Sequence, residues 1–494
     1  MLLCALAWVS EAALVHAQTP AEPNTAIAGI DADVERAMKE LHVPGAAIGV
    51  IEDGKVVLAK GYGVREIGKP GMVDADTLFD IGSMTKSFTA VTVAAMVDDG
   101  KLKWDVPVVQ YIPWFRLYDP VATELITPRD LLTHRSGLPR HDFIRMSTYL
   151  TREELMHRLR YLEPSRSFRD VFQYNNLTYT AAGYLAGQVN GSTWEELVKQ
   201  RIFLPLGMTH SSTSAVDLQR SSNFAHPHSY EDGKIVTVPI YDYQKFGVGP
   251  NGAVNSSVND MLKYLEFHLD GGTAGGKQVI SAAQMKELHA PVTVLEPNMA
   301  AATGAYAYAL GWMTGSYHGH SFLEHGGSIN GFTSDMILFP DSRIGIVVLN
   351  NRGTALPQII TKDLRDRLLG VNSHDYLADN LAAQAKFEHQ VSDEKKAMEA
   401  GRIPDAKATL PLSKYAGTYF HPAYGKIHVI QDGNNLTVKF DAIDLTLQHY
   451  NYDTFLYDDT DIAQFHIGDS GKVTEMLLPL EPAVKPFVFT RQDE

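Results

Sequence analysis

The chain has 494 residues, too many for one ordinary core, and its length predicts about three structural units. Apolar residues at 45% and charged residues at 20% fit a globular protein and speak against a largely disordered one. A net charge of −15 with no long Lys/Arg cluster argues against a nucleic-acid partner, and the single cysteine, Cys4, rules out an intrachain disulfide and a thiolate metal cluster.

Leu2 to Val15 is mostly apolar and runs into Val15-His16-Ala17, small at both positions of an A-x-A-like cleavage site. This predicts a signal peptide over 1–17 and export to the periplasm or the medium. The run lacks a basic start and carries Glu11, so a misassigned start codon and an uncleaved anchor stay open as alternatives. Residues 30–41 have helical spacing, and 46–51 and 55–60 read as strands around the turn Glu52-Asp53-Gly54. After Ser83 the pattern turns helical through Asp99, with Phe88, Val91 and Ala95 on one face and Gly100 at the end. A helical, loop-rich middle follows to Leu269, and then 308–313, 321–324, 333–339 and 344–349 read as strands, with a turn at Pro340-Asp341. Leu356, Ile360, Leu364 and Leu368 predict a helix that packs back on this sheet and closes a first globular unit over 26–370.

Beyond Gly370, Ala, Lys, Glu and Gln dominate 381–407, which predicts an exposed, charged helical linker over 371–410. Short alternating runs at 417–420, 427–431, 436–440, 445–449, 454–457, 463–467 and 476–480, parted by Gly/Asp/Asn turns, predict a small all-β domain over 411–494. No run after the first reaches the roughly 18 apolar residues that a membrane span needs, so the mature chain is expected to cross no membrane.

Three short motifs carry chemistry. In Ser83-Met84-Thr85-Lys86 the three-residue offset sets a hydroxyl and an amine on one helix face, where a desolvated lysine can take the serine proton. The same spacing recurs at Ser392-Asp393-Glu394-Lys395, where the charged surroundings read as a solvated face. Tyr174-Asn175-Asn176 offers a phenol that can pass a proton and an amide that can tie Lys86 to a substrate amide. His325-Gly326-Gly327-Ser328 reads as an edge strand whose glycines let substrate approach the backbone, so that the N–H groups of Ser83 and Ser328 could form an oxyanion hole. Taken singly, the second reads more readily as a buried tyrosine in an ordinary loop, and the third reads also as a plain glycine turn between strands.

In this order and spacing the three motifs resemble the serine β-lactamase and penicillin-recognising family, in its class C and peptidase-like branch, over about residues 30–369. Leu131-Leu132-Thr133-His134-Arg135-Ser136-Gly137-Leu138, Ile202-Phe203-Leu204-Pro205-Leu206-Gly207-Met208 and Gly331-Phe332 resemble it too. The resemblance implies an α/β (α+β) fold, an antiparallel sheet flanked by helices with a helical subdomain, and no metal or organic cofactor. It implies Ser83 as the acylated nucleophile, Lys86 as its base and Tyr174 as the proton shuttle. Asn176, His325, Gly326, Gly327 and Ser328 would form the substrate and oxyanion site. The C-terminal segment, from Tyr415-Ala416-Gly417-Thr418-Tyr419 to Phe487-Val488-Phe489, looks like the lipocalin-like barrel appended to some members.

Many members place Lys-Thr-Gly or Lys-Ser-Gly where this chain has His325-Gly326-Gly327, and no such lysine triplet follows Tyr174. Histidine is a weaker anchor for a carboxylate than a fixed cation. The expectation is therefore hydrolysis of a peptide, D-amino acid amide or ester, with β-lactamase or penicillin-binding carboxypeptidase activity as the alternative. An inactive binding or interaction protein is the reading from another class, and a homo-oligomer is compatible with any of these. His226-Pro227-His228 and His318-Gly319-His320 lack a third-ligand pattern and read as loop residues. His134 and Asp142 lie near Ser136, but the chain has no G-x-S-x-G elbow, so His134 reads as structural.

Overall fold

The computed structural model describes residues 25–372 and 374–492. The expected signal peptide and Cys4 lie outside the described residues. The chain opens with helix α1 (Ile30–Glu40) and the hairpin β1 (Gly45–Glu52) and β2 (Lys55–Gly63). Helix α2 (Thr85–Asp98) follows, then short α3 (Asp142–Ser147), α4 (Asn176–Asn190) and α5 (Val258–Leu269). The chain then returns to the sheet through β3 (Thr293–Val294), β4 (Ala305–Tyr308), β5 (Met313–Tyr317), β6 (His320–Ile329), β7 (Phe332–Phe339) and β8 (Ile344–Asn350). These strands form one antiparallel eight-stranded sheet in the order β2-β1-β8-β7-β6-β5-β4-β3.

The first hairpin and the last strand meet in mid-sheet, with Ala47 opposite Leu349 and Val50 opposite Ile346. Every residue of β8 is buried, as a near-continuous apolar run covered on both faces must be. Helix α5 comes so close to β1 that a Cβ on Gly49 would stand 2.6 Å from the Val258 side chain. Helix α6 (Leu356–Leu368) packs on β7 and β8, as its spacing predicted. Helix α2 is buried from Thr85 to Met96 and packs on α4, so the helical middle has its own apolar interior.

Residues 308–313 do not form one strand. Gly311, at φ 85°, turns the chain between β4 and β5, and Ala309 N–H donates to the Trp312 carbonyl at 2.7 Å. A side chain on Gly311 would strike the α2 backbone, 2.8 Å from Ser87 Cα. Strand β6 is longer than its predicted core and lies inside the sheet up to Glu324, where its pairing with β5 ends. From His325 onward only β7 holds it, which leaves 325–329 as a free edge.

Helix α7 (Tyr376–Ala400) exposes nearly all of its length, with Leu377 buried at its start, as a charged linker should. Its Ser392 and Lys395 lie on this solvated surface, and Lys395 pairs with Asp459 at 2.5 Å. Eight further strands follow: β9 (Gly417–His421), β10 (Gly425–Asp432), β11 (Asn435–Lys439), β12 (Asp444–His449), β13 (Thr454–Tyr457), β14 (Asp461–Ile467), β15 (Val473–Leu478) and β16 (Phe487–Arg491). They pair in sequence order and close into a barrel. Its interior is filled by the buried rings of Tyr415, Tyr419, Phe455, Phe465 and Phe489. Among the described residues no helix is long and apolar enough to cross a membrane.

Candidate active site

The site is built where α2 meets the free edge of β6. Ser83 sits in a single 3-10 turn, Gly82–Met84, that runs into α2, so the helix start places Lys86 one turn on and on the same face. Gly82 is left-handed, at φ 51°, and a Cβ there would stand 2.8 Å from the Ser328 nitrogen. A Cβ on Gly327 would stand 2.0 Å from the Ile81 carbonyl oxygen. Two glycines thus let the main chain of β6 lie against the main chain before the serine. The arrangement brings the Ser328 nitrogen close to Gly82, the residue before Ser83.

Lys86 is 0% exposed, and its Nζ lies 3.0 Å from Ser83 Oγ, 2.8 Å from Asn176 Oδ1 and 2.9 Å from the Asn251 carbonyl oxygen. Burial, with Arg145 adding repulsion, holds its pKa well below the ordinary lysine value, which favours the neutral amine. A neutral amine has two protons and one lone pair. Asn176 Oδ1 and the Asn251 carbonyl can only accept, so in the neutral form they take the two protons and the lone pair is left for the Ser83 hydroxyl, whereas the ammonium donates to all three oxygens.

Asn176 is fixed in this sense by its other end, since Nδ2 donates to Asp142 Oδ1 at 2.8 Å. Both ends of the amide are therefore engaged within the protein. Asp142 also accepts from Arg140 and Arg145, each at 2.6 Å, and although burial opposes it, Arg145 and Arg140 hold its pKa at about 2.

Tyr174 completes the cluster, with Lys86 Nζ over its ring at 4.8 Å from the centroid. Burial pushes its phenol up to about 12, against the pull of the neighbouring Ser83 hydroxyl, so it stays protonated at neutral pH. The buried His134 ring stacks on Tyr174 at 4.4 Å, and its Nδ1 accepts the Asn175 N–H at 3.0 Å. His134 is thus structural, and it orients the tyrosine.

His325 is 3% exposed and points away from open solvent. Its Nδ1 donates to the Gly326 carbonyl at 2.7 Å, so its Nε2 accepts from the Tyr308 hydroxyl at 3.0 Å. Burial holds its pKa down at about 3, which makes it a neutral wall of the site. Gly326 is half-buried, Gly327 is buried and Ser328 is exposed at the mouth.

A model of the Beta-lactamase family matches residues 30–369. The chain belongs to the Beta-lactamase family. A second model, a domain of unknown function (DUF3471), matches residues 401–491, which contain the barrel. In sequence the chain is similar to the unguisins hydrolase of Aspergillus campestris (strain IBT 28561), with 30% identity over 440 residues, 84% of this chain and 79% of that protein. In structure it is similar to the octameric penicillin-binding protein homologue from Pyrococcus abyssi, with a TM-score of 0.61 and 23% identity over 93% of this chain and 99% of that one. It is also similar to the D-amino acid amidase from Ochrobactrum anthropi SV3, with a TM-score of 0.55 and 20% identity over 68% of this chain and 98% of that one.

Within this family fold, the sequence motifs point to Ser83, Lys86, Tyr174 and Asn176, which the structure brings together. They do not point to the Asn251 carbonyl, which binds through the main chain and leaves no side-chain signature. Its one sequence signal is the turn Gly249-Pro250-Asn251-Gly252. Nor do they give Asp142 and Arg145 a role, although these stand one turn apart on α3, an ion-pair spacing.

Proposed function

We propose that the chain is a serine hydrolase that forms an acyl-enzyme on Ser83 and cleaves a peptide, D-amino acid amide or ester bond. The observation that carries the reading is the buried Lys86 amine 3.0 Å from Ser83 Oγ, where burial lowers its pKa and so equips it to take the serine proton. Lys86 takes the hydroxyl proton as Oγ attacks the substrate carbonyl carbon. The Ser83 and Ser328 N–H groups hold the oxyanion, and the phenol of Tyr174 relays the proton to the departing nitrogen or oxygen. Water then attacks the acyl carbon and the same groups run in reverse, releasing the acid and restoring Ser83.

The neutral, enclosed His325 favours peptide, amide or ester substrates over β-lactams, because strand β6 presents no cation to a β-lactam carboxylate. The names of the similar unguisins hydrolase and D-amino acid amidase lend the reading support. Export, inferred from the apolar run ending at Ala17, and a homo-oligomer, in keeping with the octameric Pyrococcus abyssi homologue, belong to the same proposal. Turnover of a p-nitrophenyl ester, D-alanine anilide and nitrocefin by the wild type and Ser83→Ala tests it. Ester or anilide cleavage that exceeds nitrocefin cleavage and vanishes in the variant is expected. Nitrocefin as the preferred substrate would shift the reading to a β-lactamase, and turnover that survives in the variant would remove Ser83 from the mechanism.

A further inference from the structure

The segment that carries Asp142 is clamped between the active site and the C-terminal barrel. Toward the site, Asp142 holds the Asn176 amide that in turn orients Lys86. Its two neighbours face the other way. His141 is left-handed, at φ 46°, and its main-chain N–H donates to Glu481 Oε2 at 2.7 Å, while its ring lies against Phe487. Phe143 seats its ring against Phe440 and Tyr424 of the barrel, at centroid distances of 5.0 and 6.0 Å.

The contact continues beyond α3. Ala442 N–H donates to the Ser147 carbonyl at 3.1 Å, Tyr149 N–H donates to Asp441 Oδ2 at 3.3 Å, and Arg158 donates to the Pro422 carbonyl. Glu481 is 6% exposed, and its second oxygen accepts the Ala483 N–H at 3.2 Å, so the carboxylate ties a turn of the barrel to the loop before Asp142. A non-glycine residue in the left-handed region keeps that conformation only where its surroundings hold it, and here the Glu163 carbonyl holds the His141 ring at 2.8 Å while Glu481 of the barrel holds its N–H.

We infer that Glu481 is a positioning residue for the reaction at Ser83: by accepting the His141 N–H it fixes Asp142, and through Asn176 it fixes Lys86. The barrel is on this account part of the active-site frame. The inference rests on the hydrolase reading. It predicts an effect on the chemical step and little on substrate capture, because no atom of Glu481 touches the nucleophile.

The test uses the full-length chain and four variants, Glu481→Ala, Glu481→Gln, Phe143→Leu and, as a control on the barrel surface, Asp444→Ala. Three quantities are read: the rate constant for fluorophosphonate labelling of Ser83, kcat and KM for a p-nitrophenyl ester, and the melting temperature. Glu481→Ala is expected to slow labelling and kcat about 10-fold with KM little changed, as misplacement of a catalytic group does. Glu481→Gln, whose amide oxygen still accepts the His141 N–H, should restore most of the rate. Phe143→Leu should lose about 3-fold or more by the same route and guards against a Glu481→Ala chain that fails to fold. Asp444→Ala should match the wild type. Full activity in Glu481→Ala or Phe143→Leu, a loss confined to KM, or equal losses in Glu481→Ala and Glu481→Gln would overturn the inference. A wild type that neither labels nor turns over would overturn the hydrolase reading itself, a different pattern from any of these.

Discussion

Lys86 Nζ stands 3.0 Å from Ser83 Oγ, with Asn176 Oδ1 and the Asn251 carbonyl as its other two partners. None of these three partners is a carboxylate, so no direct ion pair holds the lysine in its charged form. Lys86→Arg is therefore predicted to be as damaging as Lys86→Ala, because a guanidinium keeps its charge and cannot accept the serine proton. Each should lower kcat/KM on an ester by about 10³-fold, measured at saturating and limiting substrate. An arginine variant with near-native activity would show that the positive charge matters and the lone pair does not.

The acid limb of activity reports Lys86, which must be neutral to act. Burial lowers its pKa first, then the charges of Arg145 and, more weakly, Arg140, while Asp142 opposes them. Removing a cation relaxes this depression. Arg140→Gln should thus move the acid limb of kcat/KM toward higher pH, since protonated and inactive lysine then persists further up the scale. A pH profile of ester hydrolysis checks the sign, and a limb that moves toward lower pH would count against Lys86 as the titrating base.

Tyr174 is protonated throughout the neutral range, with its phenol raised to about 12 by burial. A donor is needed most where the leaving group is poor. Tyr174→Phe should accordingly depress anilide hydrolysis by about 10²-fold or more and p-nitrophenyl ester hydrolysis far less, with Ser83 still open to a fluorophosphonate whose fluoride leaves unaided. Equal losses on all three would mean that the tyrosine activates the serine directly.

Asp335 on β7 is 1% exposed and lies on the same sheet face as Glu324 of β6. Burial raises the pKa of both, and the charge of Asp335 raises Glu324 further, with Lys362 offsetting part of it. A folded-state pKa above the unfolded one means that stability is full below the ordinary carboxylate pKa and is lost as pH rises through the elevated one. Asp335→Asn should therefore stabilise the protein by about 1–4 kcal/mol in mildly alkaline buffer and by little at acid pH, read from denaturant melts at the two pH values. A variant less stable than the wild type at alkaline pH would show that the carboxylate has a partner it depends on.

Much of the fold was legible because its signals are local. The alternation in β1 and β2, the apolar spacing of α1, α2 and α6, and the run of short strands after Pro411 each depend on neighbours in sequence. Residues 308–313 misled because the break at Gly311 is imposed from outside, by the α2 backbone that passes beneath it. The site divides in the same way. Ser83 and Lys86 share a helix turn and were visible as a pair, whereas Asn251, Asp142 and Glu481 reach the cluster across the tertiary structure, two of them by way of main-chain groups. The motif spacing puts His325 on the free edge of β6, but its direction depends on Tyr308, which no spacing along the chain reveals.

The most direct test of the account is intact-mass analysis of the purified protein after exposure to a fluorophosphonate, beside Ser83→Ala and Lys86→Arg, with the adduct located by peptide mapping. The account predicts one adduct on the wild type, on Ser83, none on Ser83→Ala and a labelling rate reduced by about 10³-fold on Lys86→Arg. An adduct that persists in Ser83→Ala, or wild-type labelling at another residue, would contradict it.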